Sequence, residues 1–141
     1  MARTDTHDTL CAERQALWTA LAEAAPEFGI VPSTGWDKEL PLALGGQVRL
    51  VVSLSQDKTS VYLVGRSDAA RAWIADHLDA LALGLRTVPG QASGEAAARR
   101  WFRKDNPRAC VTVRRQWPEA IRWVRAQHMT FSRAVRSLDP A

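Results

Sequence analysis

The sequence predicts an α+β fold in which a mainly antiparallel sheet of four to five strands is covered by an N-terminal, a middle and a long C-terminal helix. Two observations support this class. Residues 40–64 contain short runs of alternating apolar side chains separated by turn-forming residues, which is typical of a strand meander. Residues 9–25, 67–83 and 118–138 repeat apolar side chains every three or four positions, which is typical of amphipathic helices. Together they predict a single domain over residues 9–138.

A polar N-terminal tail, residues 1–8, precedes the first predicted helix. Asp8 or Thr9 can cap this helix, because a short oxygen-bearing side chain accepts hydrogen bonds from the free N–H groups of a first turn. Pro26 is expected to end the helix near Ala25, since proline lacks the N–H that an interior position donates. These two signals predict where the first helix begins and ends.

The apolar face of this helix is expected to exclude its charged side chains. Its members recur at spacings of seven, four and three, which places them on one side of a helix: Leu10, Leu17, Leu21 and Ala24. Trp18 widens that face. Glu13, Arg14 and Glu23 are expected elsewhere on the helix.

The strands begin with a predicted hairpin centred on Gly45 and Gly46, because paired glycines accept the positive φ angles of a tight turn. Residues 40–44 and 47–54 flank this pair. A third strand, residues 60–64, follows a polar loop. In the second strand the residues expected on one face are Val48, Leu50, Val52 and Leu54. The sheet is therefore expected to have one apolar face, which the helices cover.

The middle helix is expected to begin after Ser67, a good N-cap, with Asp68 in its first turn. Gly84 can end it in the left-handed conformation. Its apolar side chains recur at four, four and three positions: Ala70, Ile74, Leu78 and Leu81. A short strand over residues 85–88 and a loop follow.

The next segment, residues 95–104, leaves two alternatives open. Its alanines and a cap at Ser93 favour a helix, whereas alternating side chains over residues 100–104 permit a strand. We favour a short helix or an irregular turn. After a turn at residues 105–107, β-branched side chains predict a strand over residues 109–114.

The last helix is expected after Trp117, with Pro118 in its first position and Glu119 near its positive end. Its apolar seam repeats at alternating spacings of three and four: Ile121, Val124, His128, Phe131, Val135 and Leu138. We interpret His128 as a core or boundary side chain. A second face, about 80° wide at 100° per residue, gathers four arginines: Arg122, Arg125, Arg133 and Arg136.

Charge is distributed unevenly along the 141 residues. Residues 1–70 carry six basic and nine acidic side chains, a net of −3, whereas residues 71–141 carry thirteen and six, a net of +7. Such asymmetry indicates a surface for a polyanion or an acidic partner, or a solvated arginine-rich face. No apolar run is long enough to cross a membrane and no signal peptide is evident. A cytoplasmic protein is therefore expected.

No catalytic, metal or cofactor motif is evident in the sequence. A restriction-type nuclease needs an acidic residue ahead of a Glu-x-Lys, so that carboxylates hold Mg²⁺ beside a lysine. The nearest candidates, residues 37–39 and 57–58, lie in predicted turns and lack that spacing. G-x-S-x-G and phosphate-loop motifs are missing, and Cys11 and Cys110 belong to no Cys/His cluster. We expect no enzyme, no cofactor and two reduced thiols.

Basic residues around Trp101 and Phe102 carry the main functional signal. Guanidinium groups can bind phosphates while a ring stacks on an unpaired base, as in single-stranded nucleic-acid binding. The alternative is that both rings belong to the core and the arginines extend over the surface. With two arginines of the last helix, the predicted nucleic-acid-binding residues are Arg99, Arg100, Trp101, Arg103, Lys104, Arg108, Arg122 and Arg125.

The run Trp117-Pro118-Glu119-Ala120-Ile121-Arg122-Trp123, continued by Phe131 and Val135, resembles the closing helix of a bacterial domain family of unknown function. Members of that family often follow restriction-endonuclease-like domains or stand alone. Other features along the chain fit the same pattern: Trp18, Gly45-Gly46, and the helix over 67–83 with Gly84 after it. The resemblance implies an accessory domain and transfers no catalytic residue.

Two functional hypotheses follow. The first is a non-enzymatic accessory or recognition module associated with nucleic acid, in phage defence or DNA processing. The second is a protein-interaction module that binds an acidic protein or assembles with copies of itself without nucleic acid.

Overall fold

The structure described here is a computed structural model that describes residues 2–86 and 101–139, with side chains from residue 9 onward. Its helices are α1, Ala2–Ala24; α2, Asp68–Asp76; α3, Leu78–Leu85; and α4, Trp117–Arg136. Its strands are β1, Asp37–Ala43; β2, Val48–Leu54; β3, Thr59–Gly65; and β4, Trp101–Asn106. The strands form an antiparallel sheet in the order β1-β2-β3-β4. This confirms the predicted α+β class with its N-terminal, middle and long C-terminal helices.

The chain divides into two compact units. The first unit comprises Met1–Lys38, Ser53–Ser60 and Asp105–Arg125. The second comprises Glu39–Val52, Val61–Lys104 and Ala126–Ala141. Each unit is built from three separate segments, so no single linker divides the chain.

α1 begins earlier than predicted and ends where predicted. The helix already includes Ala2, so the cap expected at Asp8 or Thr9, after a non-helical tail, is wrong. Its end confirms the effect of Pro26, because Ala25 leaves the helical conformation with φ −134° and ψ 70°. A proline disfavours the helical conformation of the residue before it.

The buried face of α1 differs from the predicted one. Leu17, Trp18 and Leu21 are buried as expected, whereas Ala24 is exposed. Arg14, which was expected on another face, is buried with them. Because Leu17 and Leu21 follow Arg14 by three and seven positions, all three lie on one side of the helix.

The connection between β1 and β2 contains three residues with positive φ. Gly45 at 65° and Gly46 at 85° confirm the prediction, and Leu44 joins them at 53°. A 3₁₀ turn, closed by a 3.2 Å hydrogen bond from the Gln47 N–H to the Leu44 carbonyl oxygen, replaces the expected two-residue turn. The glycines adopt these angles at low cost because they lack a Cβ atom.

β3 is buried along its whole length, from Thr59 to Gly65. The alternation predicted for β2 is confirmed, since one face is fully buried: Val48, Leu50, Val52 and Leu54. Val51, from the other face of β2, packs with Tyr62 and Val64 in a second apolar cluster. The expectation of a sheet with a single apolar face is therefore wrong around β3.

The predicted middle helix is two helices separated at His77. Ser67 caps α2 as expected, because its Oγ accepts a 3.1 Å hydrogen bond from the Ala70 N–H. His77 then adopts φ −115° and ψ 18°, which interrupts the helical ladder. Arg86, at φ 53°, ends α3 in the place expected for Gly84.

Gly84 permits close packing between α3 and α4. A Cβ atom at this position would lie 3.2 Å from the Ala134 Cβ, closer than most carbon contacts allow. The short strand expected over residues 85–88 is wrong for its described part, since Leu85 belongs to α3 and Arg86 caps it. Residues 87–88 lie outside the described residues.

The segment around Trp101 is a strand. β4 contains residues 101–104, so the short helix or irregular turn favoured there is wrong, while residues 95–100 lie outside the described residues. Phe102 is fully buried and adopts φ 59°. Sheet pairing and burial of this ring therefore determine the conformation of residues 101–104.

Residues 109–114 form turns, so the strand predicted there is wrong. Side chains take the place of a neighbouring strand as hydrogen-bond partners. The Cys110 N–H donates to Gln116 Oε1, and the Trp117 Nε1–H donates to the Val111 carbonyl oxygen, both at 2.9 Å. The β-branched side chains thus indicate burial here, since Val111 is fully buried, and not strand pairing.

α4 confirms both predicted faces. Along the apolar seam Val124, Phe131 and Val135 are buried, and the other three members, His128 included, are half-buried. The four arginines of the second face are all exposed: Arg122, Arg125, Arg133 and Arg136. The spacing of apolar side chains in the sequence therefore determines which side of α4 is buried.

Replacing Phe131 by Ala should lower the free energy of unfolding by about 3–5 kcal/mol, because its fully buried ring would leave a cavity. Replacing the exposed Arg125 by Ala should lower it by less than about 0.5 kcal/mol. Denaturant melts of both variants measure the difference. Equal losses would contradict the orientation of α4.

Candidate functional site

The predicted binding residues around Trp101 belong to the second unit. Arg99 and Arg100 lie outside the described residues. Trp101, Arg103 and Lys104 are half-buried, and Arg103 has an interaction partner within the protein. β4 therefore does not present a row of free basic and aromatic side chains.

Lys104 has an internal role. Its Nζ donates a 2.9 Å hydrogen bond to the Leu85 carbonyl oxygen and lies 5.5 Å from the centroid of the Phe131 ring. Burial lowers the pKa of Lys104. Its amino group thus connects β4 to the end of α3 and to α4.

Arg108, Arg122 and Arg125 belong to the first unit, and all three are exposed. Arg122 pairs with Glu119 at 3.0 Å, and Arg125 pairs with Glu27 at 3.5 Å. Exposed ion pairs of this kind contribute little stability, because water competes for both groups. These guanidinium groups remain accessible to a ligand.

Arg14, a residue that the sequence analysis assigned to no site, is a buried charge in the first unit. Its side chain is 1% exposed, and its Nε donates a 2.8 Å hydrogen bond to the Leu54 carbonyl oxygen. The Leu54 N–H in turn donates to the Trp36 carbonyl oxygen at 2.8 Å. Arg14 therefore connects the middle of α1 to the end of β2 and to the segment before β1.

Trp36 covers the guanidinium group of Arg14. The guanidinium carbon lies 4.4 Å from the centroid of the indole ring, within cation–π distance. The preceding residue is held by Trp18, whose Nε1–H donates a 2.8 Å hydrogen bond to the Gly35 carbonyl oxygen. Trp36 itself is 58% exposed. The indole ring of Trp36 therefore forms the outer wall over the buried guanidinium group of Arg14.

One nitrogen of Arg14 lacks a partner. Nη2 is buried and makes no hydrogen bond to any residue that the structure describes. Burial lowers the pKa of Arg14, while the charges of Cys11 and Asp37 oppose that change. The guanidinium stays protonated, because arginine titrates far above neutral pH. An unpaired buried donor of this kind is costly, by about 1–3 kcal/mol.

A cavity of about 650 Å³ opens beside this group, a volume suited to a small ligand. It lies within the first unit, between α1, the segment before β1, the β2–β3 loop and the turns after β4. The residues that give it its character include Leu10, Arg14, Trp36, Gln56, Asp57 and Thr112. The cavity thus combines one buried cation, an aromatic wall and a polar rim.

The polar rim is held together by hydrogen bonds to backbone. Thr112 Oγ1 donates to the Gln56 carbonyl oxygen at 3.1 Å, and Cys110 Sγ lies 3.0 Å from the Asp57 carbonyl oxygen. Gln56 and Asp57 are exposed. Their side chains are therefore among the polar groups that a ligand can reach beside Arg14.

The thiol that lines the cavity is poorly suited to nucleophilic attack. Burial and the nearby Asp57 raise the pKa of the Cys110 thiol, so it is protonated at neutral pH and a poor nucleophile. Within residues 9–86 and 101–139, whose side chains the structure describes, no group of three or more His, Cys, Asp or Glu side chains could hold a metal ion. No helix within residues 2–86 and 101–139 is long and apolar enough to cross a bilayer.

The spacing of α1 contained a signal for Arg14. Its position continues the seam of Leu17 and Leu21, but arginine is usually exposed in proteins, and its charge therefore predicted another face. Nothing in the sequence places Trp36 or residues 55–57 near it, since they meet only through folding. The residues that surround Arg14 can therefore be identified only from the structure.

Comparison with protein-family models finds no match, and searches of curated proteins and of solved structures return no similar protein. The resemblance of the C-terminal helix to a bacterial domain family therefore stays a prediction.

In a Cys11→Ser variant, the pH midpoint for alkylation of Cys110 should lie above that of an unstructured cysteine peptide. The raised pKa leaves less thiolate at any given pH, and thiolate is the species that reacts. Iodoacetamide rates measured between pH 7 and 10 give the midpoint. A midpoint below that of the peptide would contradict the environment described for this thiol.

Proposed function

We propose that this protein is a non-enzymatic recognition module that binds nucleic acid through the exposed arginines of α4, in the cytoplasm. One observation carries the proposal. Residues 120–138 contain four arginines and no Asp or Glu, and all four arginines are exposed. The helix thus presents a positively charged face, and its one carboxylate, Glu119, lies in the first turn and pairs with Arg122.

The spacing of this face suits a phosphate backbone. Arg122 and Arg136 are fourteen positions apart, which corresponds to about 21 Å along a helix. A nucleic-acid duplex carries a negative charge about every 1.7 Å of its axis, so several phosphates come within reach of one such row. Guanidinium groups bind phosphate oxygens through two parallel hydrogen bonds.

Few acidic groups compete for these arginines. Arg122 and Arg125 have the exposed partners Glu119 and Glu27. Arg133 makes no ion pair with a residue in the described part of the chain, and neither does Arg136. A phosphate can therefore replace weak, solvated pairs at one end of the row and meet open guanidinium groups at the other.

The sequence adds support from the family resemblance. The motif from Trp117 to Trp123 resembles a domain that often follows restriction-endonuclease-like domains. Such a context favours nucleic acid over an acidic protein as the polyanion. An accessory role in phage defence or DNA processing is consistent with this ligand.

Replacing Arg125 by Gln should weaken binding of a labelled oligonucleotide and lower the salt dependence of log K by about one log–log unit, because one phosphate contact is lost. The matched control is Arg86→Gln, which removes the same charge from an exposed arginine at the end of α3. It should leave affinity and slope nearly unchanged. Fluorescence anisotropy at 50 and 200 mM salt, beside thermal melts, compares the two variants.

Two results would contradict the proposal. One is equal weakening by both variants, which would mean that overall charge and not α4 drives binding. The other is no binding by the native chain at 50 mM salt. In that case concentration-dependent association without nucleic acid, measured by sedimentation, would support the protein-interaction hypothesis.

A further inference from the structure

We propose that the cavity beside Arg14 binds a small planar carboxylate, meaning an aromatic or heterocyclic ring that carries one carboxylate group. This site is independent of the arginine face of α4, since it depends on a single buried arginine. Its evidence is the hydrogen bonding, burial and surroundings of that arginine.

The guanidinium of Arg14 is an incomplete binding group. Its Nε is engaged with the Leu54 carbonyl oxygen, while Nη2 has no acceptor among the described residues. A carboxylate is the group that best matches a guanidinium edge, because its oxygens accept directional, charge-assisted hydrogen bonds. Such bonds are stronger where water is excluded.

A second arginine in the same unit shows the completed arrangement. Arg114 also stacks on an indole ring, with its guanidinium carbon 4.6 Å from the centroid of Trp117. Its Nε and Nη2 donate to the two carboxylate oxygens of Glu13 at 3.1 and 2.9 Å. The Arg14–Trp36 pair has a similar stack, but its Nε is engaged with the Leu54 carbonyl oxygen and no carboxylate among the described residues hydrogen-bonds to its Nη2. A carboxylate supplied by a ligand would complete it.

The walls of the cavity define the rest of the ligand. Trp36 and Leu10 provide apolar surface for a ring, and about 650 Å³ accommodates one ring with its substituents. Nη2 is covered from solvent, so a ligand reaches it only when side chains of the lining shift, and the largely exposed ring of Trp36 stacks on this guanidinium. Binding should therefore change the environment of this tryptophan.

The charge of the site favours one negative charge over two. Among the described residues of the lining, Arg14 is the basic one, and Asp57 lines the same cavity. Asp37 lies close enough to act on the charge of Arg14. A phosphate dianion would meet stronger repulsion from these carboxylates than a single carboxylate would.

The experiment compares benzoate with benzamide, which has nearly the same shape and no charge. Titrations followed by calorimetry and by tryptophan fluorescence should show benzoate binding about tenfold or more tightly. Arg14→Met should abolish that preference. The matched control, Arg114→Gln, should preserve it, because Arg114 is exposed and already paired with Glu13.

A second variant keeps the proposal testable if Arg14→Met does not fold. Trp36→Leu leaves the charge in place and removes the aromatic wall, so it should weaken benzoate binding severalfold and remove most of the fluorescence change. The native chain alone also tests the proposal, since benzoate should raise its melting temperature more than benzamide does at equal concentration.

Four outcomes would overturn the inference. These are benzoate binding weaker than about 10 mM, equal affinity for benzoate and benzamide, tighter binding of inorganic phosphate than of benzoate, or equal loss in the Arg14 and Arg114 variants. None of them depends on nucleic acid, so the failure of one proposal is distinguishable from the failure of the other.

Discussion

β3 has no exposed residue, so each of its side chains must find an apolar or hydrogen-bonding partner. Its first two residues are polar, and distant segments satisfy them: Thr59 Oγ1 donates to the Ala109 carbonyl oxygen, and Ser60 Oγ donates to Asp105 Oδ1 at 2.6 Å. An unsatisfied hydroxyl in such a place would be costly. The end of β4 and the turns after it are therefore held against the start of β3.

The burial of β3 also positions the loop and the turns that line the candidate cavity. The β2–β3 loop leads directly into the buried strand, and the turns that satisfy β3 also bind this loop through Thr112 and Cys110. Arg14 meets the last residue of β2, where its Nε satisfies the Leu54 carbonyl oxygen. A charged side chain thus takes the role of a backbone partner, and the cavity lies between that side chain and the loop.

Two kinds of arginine in this chain suit the two proposed kinds of recognition. The arginines of α4 are exposed and hydrated, and therefore suit a repeated polyanion whose binding weakens as salt is added. Arg14 is desolvated and held in place by a hydrogen bond and an aromatic ring. Salt screens such a buried group far less, and its geometry suits a single, oriented anion.

The sequence by itself determined the fold class, the meander of β1 to β3, the cap at Ser67, the end of α1 and both faces of α4. These features depend on local rules: the period of apolar side chains, the missing N–H of proline and the side-chain oxygen of a cap. It did not determine β4, the turns at residues 109–114 or the site around Arg14. There the outcome depends on which distant group supplies a hydrogen bond or buries a side chain. Only the tertiary structure decided that Leu54 and Trp36 would surround Arg14, because residues far apart in the sequence meet only when the chain folds.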